Sequence, residues 1–519
     1  MKIATAQQMR DMDRVAIQER GIPSVQLMET AARAVADAAL ELAAKHRKGK
    51  EGPGRAVCFC GAGNNGGDGV CTARLLLEAG LEVRAVLVGK REKMTPDCRE
   101  MERRLEDLGG QLEDFNPNSP EFALWCLEAD VMVDALFGIG LNTELRGNAR
   151  TAVQMMNTCD IPVVAADIAS GVEADTGKVL GDAVQADVTV TFSLPKAGQF
   201  LGQGGLHTGE LKVADIGIPL DLILWAEENQ FSSVTREDLF LPRRPRDAHK
   251  GDFGRVYILG GAVGYSGAPV LAAKAALRTG AGLVTVGVPA PVWPVAAAKL
   301  DEAMPHPLPA GKEGMLSLEA MEPVMDHLSA CDVALIGPGL GRGNSASSVV
   351  RHLIRAYHGP LILDADGINA LEGHMDILEA RKGLITVLTP HDGEFARLGG
   401  DLSDGDRLAA ARRFAEEYQC CLILKGYRTI TALPDGQAFV NTTGNPGMSK
   451  GGSGDILGGM LLALMGQGLS VREAAPMAVW MHGRAGDLAA ADLGEYGMLP
   501  GDLVERIPRV LRECEGRRS

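Results

Sequence analysis

A glycine-dense turn at 451–455 has the sequence Gly-Gly-Ser-Gly-Asp and leads directly into the apolar segment 456–465. Glycine lets backbone N–H groups converge on an anion, and a helix that starts at such a turn adds the positive end of its dipole. Asp455, at the end of the turn, is placed to take a proton from an attacking hydroxyl. The turn therefore predicts a site at which a phosphoryl group is transferred.

A second glycine turn, at 61–69, has the sequence Gly-Ala-Gly-Asn-Asn-Gly-Gly-Asp-Gly and precedes the helical pattern Val70 to Glu78. It is not a dinucleotide fingerprint, because Asn64, Asn65 and Asp68 interrupt the glycine spacing. These side chains suit oxygen ligation of a cation or hydrogen bonds to ribose hydroxyls. The alternative is a glycine-rich surface loop capped by asparagine. Two such turns, far apart in the chain, predict two active sites.

Three further pieces accompany the second turn: Asp134 after an apolar run, the glycine turn 138–144 and the segment 167–171. A carboxylate at the end of a strand can simply cap the next helix. Together, however, these pieces fall at strand ends and are expected to share one crevice. Lys196 also follows a strand and could reach the crevice, but it could equally be a solvated lysine.

The elements that must position these residues alternate short β-branched runs with longer helical patterns, which predicts parallel sheets covered by helices on both faces. The helices predicted at the start are Ala6 to Glu19 and Val25 to Lys45. The strands predicted in the first half are Arg55 to Cys60, Glu82 to Val88, Val131 to Leu136, Pro162 to Ala166, Val188 to Phe192 and Leu211 to Val213.

A polar and then proline- and arginine-rich stretch at 218–246 interrupts this rhythm and is interpreted as the connection between two domains, 1–225 and 236–519. No repeat of the first half is found in the second. The strands predicted after the connection are Arg255 to Leu259, Leu283 to Val288, Asp332 to Ile336, Leu361 to Leu363, Ile385 to Leu388, Cys421 to Leu424 and Thr429 to Ala432.

Composition agrees with this organisation. A chain of 519 residues exceeds what one hydrophobic core usually supports. The net charge of −15 argues against nucleic acid or an anionic membrane as a partner, since either needs a basic face. The 65 glycines and 4% aromatic residues favour nucleotide-type α/β domains over aromatic-rich β-sandwiches.

The ten cysteines have no regular spacing and are interpreted as buried strand residues rather than disulfides or metal ligands. The first residues contain no apolar signal core, and no apolar run reaches the length that spans a bilayer. We therefore expect a cytoplasmic enzyme.

The first-half motifs resemble the NAD(P)H-hydrate epimerase family, in which a GxGNNGGDG turn, a VDAxFGxG segment and a DIPSG segment recur in this order. The resemblance covers residues 1–220 and implies a Rossmann-like three-layer domain, with Ala169 where the family usually has proline. It implies that Asp167 is the acid–base group and that Asn65, Asp134 and Ser170 hold a potassium ion. The residues it implies in contact with the hydrated nicotinamide nucleotide are Asn64, Asn65, Gly66, Gly67, Asp68, Gly138, Ile139, Gly140, Leu141, Asn142, Thr143, Glu144 and Asp167.

The second half resembles the ribokinase-like α/β fold, and more narrowly its NAD(P)H-hydrate dehydratase branch, over residues 240–510. Its motifs are 249–255, 260–268, 337–341, 363–366, 389–394, 425–429 and the turn at 451–455. His391 stands where sugar kinases of this fold usually carry asparagine, which favours the dehydratase branch. Glu394 is placed like the glutamate that organises Mg²⁺ in those kinases. The resemblance implies nucleotide contacts from Lys425, Gly426, Tyr427, Arg428, Thr429 and Gly454, and hydrate contacts from Ala268, Gly339, Gly341, His391 and Asp455.

Together these resemblances imply a two-domain enzyme that repairs hydrated NADH and NADPH, with K⁺, Mg²⁺ and ADP or ATP as cofactors and a homo-oligomeric state. The first domain would interconvert the R and S hydrates, and the second would dehydrate the S hydrate with Asp455 as base. Two alternatives stay open. The second domain could be an ordinary small-molecule kinase, and the first could be a binding module without catalytic activity.

Overall fold

A computed structural model describes residues 1–48, 51–225, 230–241 and 243–515. The chain forms two compact units, residues 2–229 and residues 230–519 together with Met1. Within the connection predicted at 218–246, residues 226–229 and 242 lie outside the described residues. The domain limits 1–225 and 236–519 stay predictions.

The N-terminal unit is an α/β layered structure. Its strands are β1 (Arg55–Cys60), β2 (Glu82–Leu87), β3 (Leu112–Asp114), β4 (Val131–Ala135), β5 (Val163–Ala166), β6 (Val188–Phe192) and β7 (Glu210–Ala214). Its helices are α1 (Ala6–Arg14), continued by a π-helical turn (Val15–Glu19), α2 (Ser24–His46), α3 (Asn64–Glu78), α4 (Pro96–Asp107), α5 (Pro120–Glu128), α6 (Gly147–Thr158), α7 (Gly204–His207) and α8 (Leu220–Trp225), with 3₁₀ turns at Arg91–Lys93 and Ala197–Gln199.

The seven strands form one parallel sheet in the order β3-β2-β1-β4-β5-β6-β7. Alternate residues of β1 enter separate apolar cores on the two faces, with Cys58 on one face and Phe59 on the other. Burial on both faces explains why these strands read as continuous apolar runs. The order of strands reverses between β1 and β4, so a crevice opens at their carboxyl ends.

The described residues of the C-terminal unit form ten strands. They are β8 (Phe231–Ser233), β9 (Arg255–Leu259), β10 (Leu283–Pro289), β11 (Met304–Leu308), β12 (Val333–Ile336), β13 (Leu361–Leu363), β14 (Thr386–Leu388), β15 (Cys421–Leu424), β16 (Ile430–Ala432) and β17 (Ala438–Val440). The helices are α9 (Gly267–Thr279), α10 (Trp293–Lys299), α11 (Met321–Ser329), α12 (Asn344–Ala356), α13 (Asp366–Asn369), α14 (Asp376–Glu379), α15 (Asp392–Arg397), α16 (Arg407–Tyr418), α17 (Ser453–Gly466), α18 (Val471–Gly497) and α19 (Pro500–Cys514), with 3₁₀ turns at Arg236–Asp238, Lys250–Phe253, Leu318–Ala320 and Pro446–Met448.

The second sheet has the order β11-β10-β9-β12-β13-β14-β15-β16-β17-β8 and is parallel except where β16 pairs with β15 and β17. Its order reverses between β9 and β12, which again places a crevice at their carboxyl ends. Strand β11 was not predicted, because Pro305 and Pro307 argue against a strand; it lies at the edge of the sheet, where proline is tolerated.

All ten cysteines are free thiols and eight of them are buried, but only Cys58, Cys60 and Cys421 lie in strands, so the prediction of buried strand residues is confirmed for these three and is wrong for the others. Burial raises the pKa of the Cys58 thiol to about 12. Within the described residues, no helix is both long and apolar enough to cross a membrane.

Candidate active sites

The glycine turn after β1 is tightly packed. The Gly61 N–H donates to the Ala135 carbonyl at 2.9 Å. A Cβ added at Gly66 would lie 1.7 Å from the Gly61 carbonyl oxygen, so only glycine fits there. Helix α3 begins at Asn64, earlier than the predicted start at Val70, and the polar residues of the motif therefore lie in its first turn. The unpaired N–H groups of such a helix start suit an anion.

Asp134 and Ser170 form a fully buried polar pair beside this turn. Asp134 Oδ2 accepts a hydrogen bond from the Ser170 N–H at 2.7 Å, and Oδ1 accepts one from the Leu136 N–H at 3.2 Å. Burial raises the pKa of Asp134 to about 6, although hydrogen bonds from Ser170 oppose the shift. Among the described residues no cationic side chain pairs with Asp134. A buried carboxylate in this state suits a bound cation.

Asp167 follows β5 with a φ of 66°, in the left-handed region that non-glycine residues rarely adopt. Its Oδ1 accepts a hydrogen bond from Lys196 Nζ at 2.5 Å, and Nζ also donates to Thr191 Oγ1 at 2.8 Å. Gln199 Nε2 donates to the Asp167 carbonyl oxygen at 2.7 Å. These contacts hold a strained residue in one position, a situation typical of functional sites.

Lys196 is only 1% exposed, so its interpretation as a solvated lysine is wrong. It lies in the segment that follows β6, and β6 neighbours β5 in the sheet, so the segments after the two strands bring Lys196 and Asp167 together. The strand order, rather than any local pattern around Lys196, was the missing signal.

The motif residues converge at Gly138, which follows β4. A Cβ added there would lie 3.0 Å from Asp167 Oδ2 and 3.4 Å from Asn65 Oδ1. Asn65, Asp134, Gly138, Asp167 and Ser170 thus lie together where β1, β4 and β5 end. The other end of the same loop, Asn142, Thr143 and Glu144, is exposed.

Replacing Lys196 with methionine should destabilise the N-terminal unit by about 3–5 kcal/mol, because removing one partner of a buried ion pair leaves an uncompensated charge. Combining Lys196→Met with Asp167→Asn should recover much of that loss, since neither charge then remains. Urea unfolding of the full chain, monitored by a probe in the N-terminal unit, measures the stability of both variants. The control is Lys212→Met, which removes the exposed partner of Glu41 and should change stability little. Equal effects of the two lysine substitutions on stability would contradict the assignment of Lys196 and Asp167 as a buried ion pair.

The turn at 451–455 starts α17 in the C-terminal unit. Gly452 has a φ of +107°, a left-handed conformation that glycine adopts freely, and α17 begins at the next residue. Asp455 lies in the first turn of this helix. Burial and the charge of Asp364 raise the pKa of Asp455 to about 7, partly opposed by Lys425. A carboxylate with this pKa can exchange protons near neutral pH.

Lys425 lies beside two other carboxylates, and its charge acts on Asp455. Its Nζ lies 2.9 Å from Asp364 Oδ1 and 3.8 Å from Glu394 Oε2. Thr389 Oγ1 also donates to Asp364 Oδ1 at 2.7 Å. Sequence reasoning quoted the Asp364 segment but did not assign this residue to the site. The pairing joins residues 61 positions apart, which no local pattern reveals.

A cavity of about 510 Å³ opens beside this ion pair. Residues 425–429 and Gly454, the predicted nucleotide contacts, all line it. Further lining residues include Asn441, Thr443, Asn445, Met448 and His482, none of which was predicted. Tyr427 is 56% exposed at the mouth of the cavity.

The residues predicted to contact the hydrate lie on neighbouring loops. A Cβ added at Gly339 would lie 3.1 Å from Ala268 Cβ, so these two residues adjoin, and the Gly341 N–H donates to Asp366 Oδ2 at 2.8 Å. His391 has a 55% exposed side chain that caps α15, with Nδ1 accepting from the Gly393 N–H at 3.0 Å. Its Nε2 is 3.5 Å from Glu394 Oε1, which connects it to the Lys425 network.

No group of three or more His, Cys, Asp or Glu side chains within the described ranges is arranged to hold a metal ion.

Two family descriptions match the chain. The description "NAD(P)H-hydrate dehydratase" matches residues 256–509, and "YjeF-related protein N-terminus" matches residues 24–198. A bifunctional NAD(P)H-hydrate repair enzyme from Moorella thermoacetica is 42% identical over 525 residues, covering 99% of this chain and 97% of that protein. The chain belongs to the bifunctional NAD(P)H-hydrate repair enzyme family.

Membership of the repair enzyme family confirms the predicted resemblance, and the predicted α/β fold class of both halves is also confirmed. The Escherichia coli repair enzyme is 36% identical over 463 residues, covering 88% of this chain and 84% of that protein. A solved ADP/ATP-dependent NAD(P)H-hydrate dehydratase from Bacillus subtilis, co-crystallized with ATP and Mg²⁺, is 29% identical with a TM-score of 0.46, covering 55% of this chain and 99% of that chain.

Proposed function

We propose that this chain repairs hydrated NADH and NADPH through two activities, epimerisation of the hydrates in the N-terminal unit and nucleotide-dependent dehydration of the S hydrate in the C-terminal unit. The observation that carries the proposal is the 42% identity to a bifunctional repair enzyme over nearly the full length of both proteins. The geometry supports it, because each unit holds its own polar crevice where the strand order reverses.

In the C-terminal unit, the C6 hydroxyl of the hydrate would attack the terminal phosphoryl group of ADP or ATP. Asp455 takes the hydroxyl proton, and the N–H groups at the start of α17 stabilise charge on the phosphoryl group. The ring nitrogen then expels phosphate from C6, and loss of a proton from C5 restores the double bond. Phosphorylation is needed because hydroxide is a poor leaving group.

The nucleotide would occupy the cavity beside Lys425, with residues 425–429 and Gly454 in contact. The ammonium of Lys425, already between Asp364 and Glu394, orients the phosphate chain. Glu394, buried beside it, would help to hold Mg²⁺ through water, with the phosphate oxygens as the other ligands. Bound Mg²⁺ would neutralise charge on those oxygens. Gly339, Ala268 and His391 would receive the hydrate.

In the N-terminal unit, C6 of the hydrate carries both a hydroxyl and the ring nitrogen, so it can lose and regain water. Asp167 handles the protons, and Lys196 fixes the carboxylate in place. The helix start at Asn64 and the loop 138–144 would bind the nucleotide portion of the substrate.

A potassium ion fits beside Asp134 and Ser170, because that carboxylate is buried without a cationic partner among the described residues. The Asn65 amide supports this, since its Nδ2 is buried without a hydrogen-bond partner and the two amide ends can be exchanged. The ion would supply positive charge that orients the substrate's oxygens, as K⁺ is a weak Lewis acid. The cytoplasmic location and homo-oligomeric state stay predictions.

One assay with the purified full chain tests the function. Both hydrates are supplied with and without ADP or ATP, while dihydronicotinamide absorbance and chiral chromatography are recorded. Without nucleotide, the epimers should interconvert faster than spontaneously; with nucleotide, both should be consumed and absorbance should rise. Phosphorylated product without a rise in absorbance would indicate an ordinary kinase instead. Consumption of the S hydrate alone would indicate an N-terminal binding module.

The two units should also fold and act separately. Each has its own sheet and its own cores, and β8 at 231–233 belongs to the second sheet. Fragments 1–229 and 230–519 should therefore each give a cooperative unfolding transition, the first epimerising without nucleotide and the second dehydrating the S hydrate. Mixed, they should consume both hydrates, because the intermediate can diffuse. Failure of either fragment to fold would show that it needs the other unit.

A further inference from the structure

Helix α1 is tied to two loops that carry residues of the N-terminal candidate site. The segment before it is joined to the loop after β6 by a bridge between Ala4 and Lys196. Farther along the helix, Arg10 Nη1 donates to the Ile139 carbonyl at 3.4 Å, which ties α1 to the loop that follows β4. The helix therefore passes from the Lys196 side of the crevice to the substrate-binding loop.

Asp13 lies three residues after Arg10, so both side chains share one face of the helix. It is partly buried, and the charges of Lys196 and Asp167 both act on it. Its carboxylate forms no hydrogen bond or ion pair in the described part of the chain. Burial, the largest effect, raises the pKa of Asp13 to about 6, whereas the Lys196 charge lowers it.

The crevice between α1 and the strand ends has unsatisfied polar atoms. Asp68, buried in α3, feels the charges of both Asp167 and Asp13, and burial raises its pKa well above the usual value. The Nδ2 of Asn65 is buried and unpartnered. Lys196 is the one ammonium that the described residues place among these three carboxylates. Such a crevice is expected to receive a polar ligand that donates and accepts hydrogen bonds.

We propose that Asp13 is a second catalytic residue of the epimerase, which carries the proton on the face of C6 opposite to Asp167. This inference rests on the proposed function. Inversion through loss and re-addition of water needs one group to protonate the departing hydroxyl and another to deprotonate the incoming water. A single carboxylate reaches only one face.

In one direction, the Asp13 carboxylic acid gives its proton to the C6 hydroxyl. The C6–O bond breaks, water leaves, and the ring-nitrogen lone pair forms the C6=N bond. A water molecule then adds to the other face, its oxygen forms the new C6–O bond, and its proton passes to the Asp167 carboxylate. The reverse reaction uses the same groups in exchanged roles, so atoms and charge balance.

The test compares Asp13→Asn with Asp11→Asn in the full chain, starting from pure R hydrate without nucleotide. Asp11 shares the helix but hydrogen-bonds only Gln7 on an exposed face. We expect Asp13→Asn to slow inversion by about 100-fold or more, and Asp11→Asn to change it less than twofold. Dehydration of the S hydrate with nucleotide should be unchanged in both. More than a third of wild-type inversion in Asp13→Asn would overturn the proposal.

Two further readouts separate catalysis from a structural role. In ¹⁸O-labelled water, the wild type should place one labelled oxygen at C6 per inversion; inversion without exchange would overturn the mechanism. The wild-type rate should fall as pH rises above about 6, where Asp13 beside Lys196, Asp167 and Asp68 loses its proton. Asp13→Glu should show the same fall in rate with rising pH. If that fall is absent from Asp13→Glu, the catalytic role of Asp13 is contradicted. If the wild-type protein does not invert the hydrate faster than the spontaneous rate, the proposed epimerase function is wrong, independently of the result for Asp13.

Discussion

Asp455→Asn should lower the turnover of S hydrate by about 10²–10⁴-fold, because the amide keeps the shape of the side chain but cannot accept the hydroxyl proton. Nucleotide affinity should stay close to that of the wild type, since Lys425 to Thr429 are unaltered. Turnover is measured from dihydronicotinamide absorbance, and affinity by calorimetry. Retention of more than a tenth of wild-type turnover would exclude Asp455 as the base.

The control for this variant is Asp376→Asn, which removes a carboxylate from the first turn of another helix, where it forms an exposed pair with Arg355. Its turnover should match the wild type. The pH profile gives a second check. Asp455 must be deprotonated to act, so wild-type kcat/KM should rise with pH through about 7 and then level off. This limb should be absent from Asp455→Asn.

Asp167→Asn should reduce enzymatic epimerisation by about 10²–10⁴-fold, which leaves R hydrate to its spontaneous rate. Turnover of pure S hydrate should not change, because the two crevices belong to separate units. Chiral chromatography of the residual hydrate measures the loss. Rapid, complete consumption of both epimers by this variant would disprove the role of Asp167.

This variant leaves the Lys196 ammonium buried without its partner, which could unfold the unit rather than stop the chemistry. The double variant Asp167→Asn/Lys196→Met removes both charges and should unfold at a higher urea concentration than either single variant. It should nevertheless be inactive as an epimerase. Recovered epimerisation in the double variant would show that the single substitution acted through stability.

Local patterns predicted most of the sheets. The bounds of β1, β6, β9, β13 and β15 were predicted to the residue, because a parallel strand buried on both faces is a short apolar run between turns. Other strands escaped prediction because their patterns are weak. Strand β11 carries two prolines, β3 is exposed at two of its three residues, and β8 is an edge strand with two serines.

The residues of the candidate sites could be proposed from sequence where a motif is continuous, but not where two distant segments meet. Two features can be recognised from the sequence alone: the turn at 451–455 and the order of Asn65, Asp134 and Asp167. The pair Asp167–Lys196 depends on β5 and β6 being neighbours, the pair Asp364–Lys425 depends on the order β13-β14-β15, and the position of Asp13 depends on where a helix packs. Such information resides in the topology rather than in residue spacing.

Labelling of the native free thiols can measure local opening of the protein. A thiol reacts as its thiolate and needs contact with the reagent, so a buried cysteine is labelled only when the surrounding structure opens. Cys58 and Cys60 lie in β1, an interior strand of one sheet, and Cys421 lies in β15 of the other. Mass spectrometry of labelled peptides therefore times the opening of each unit separately, without an introduced probe.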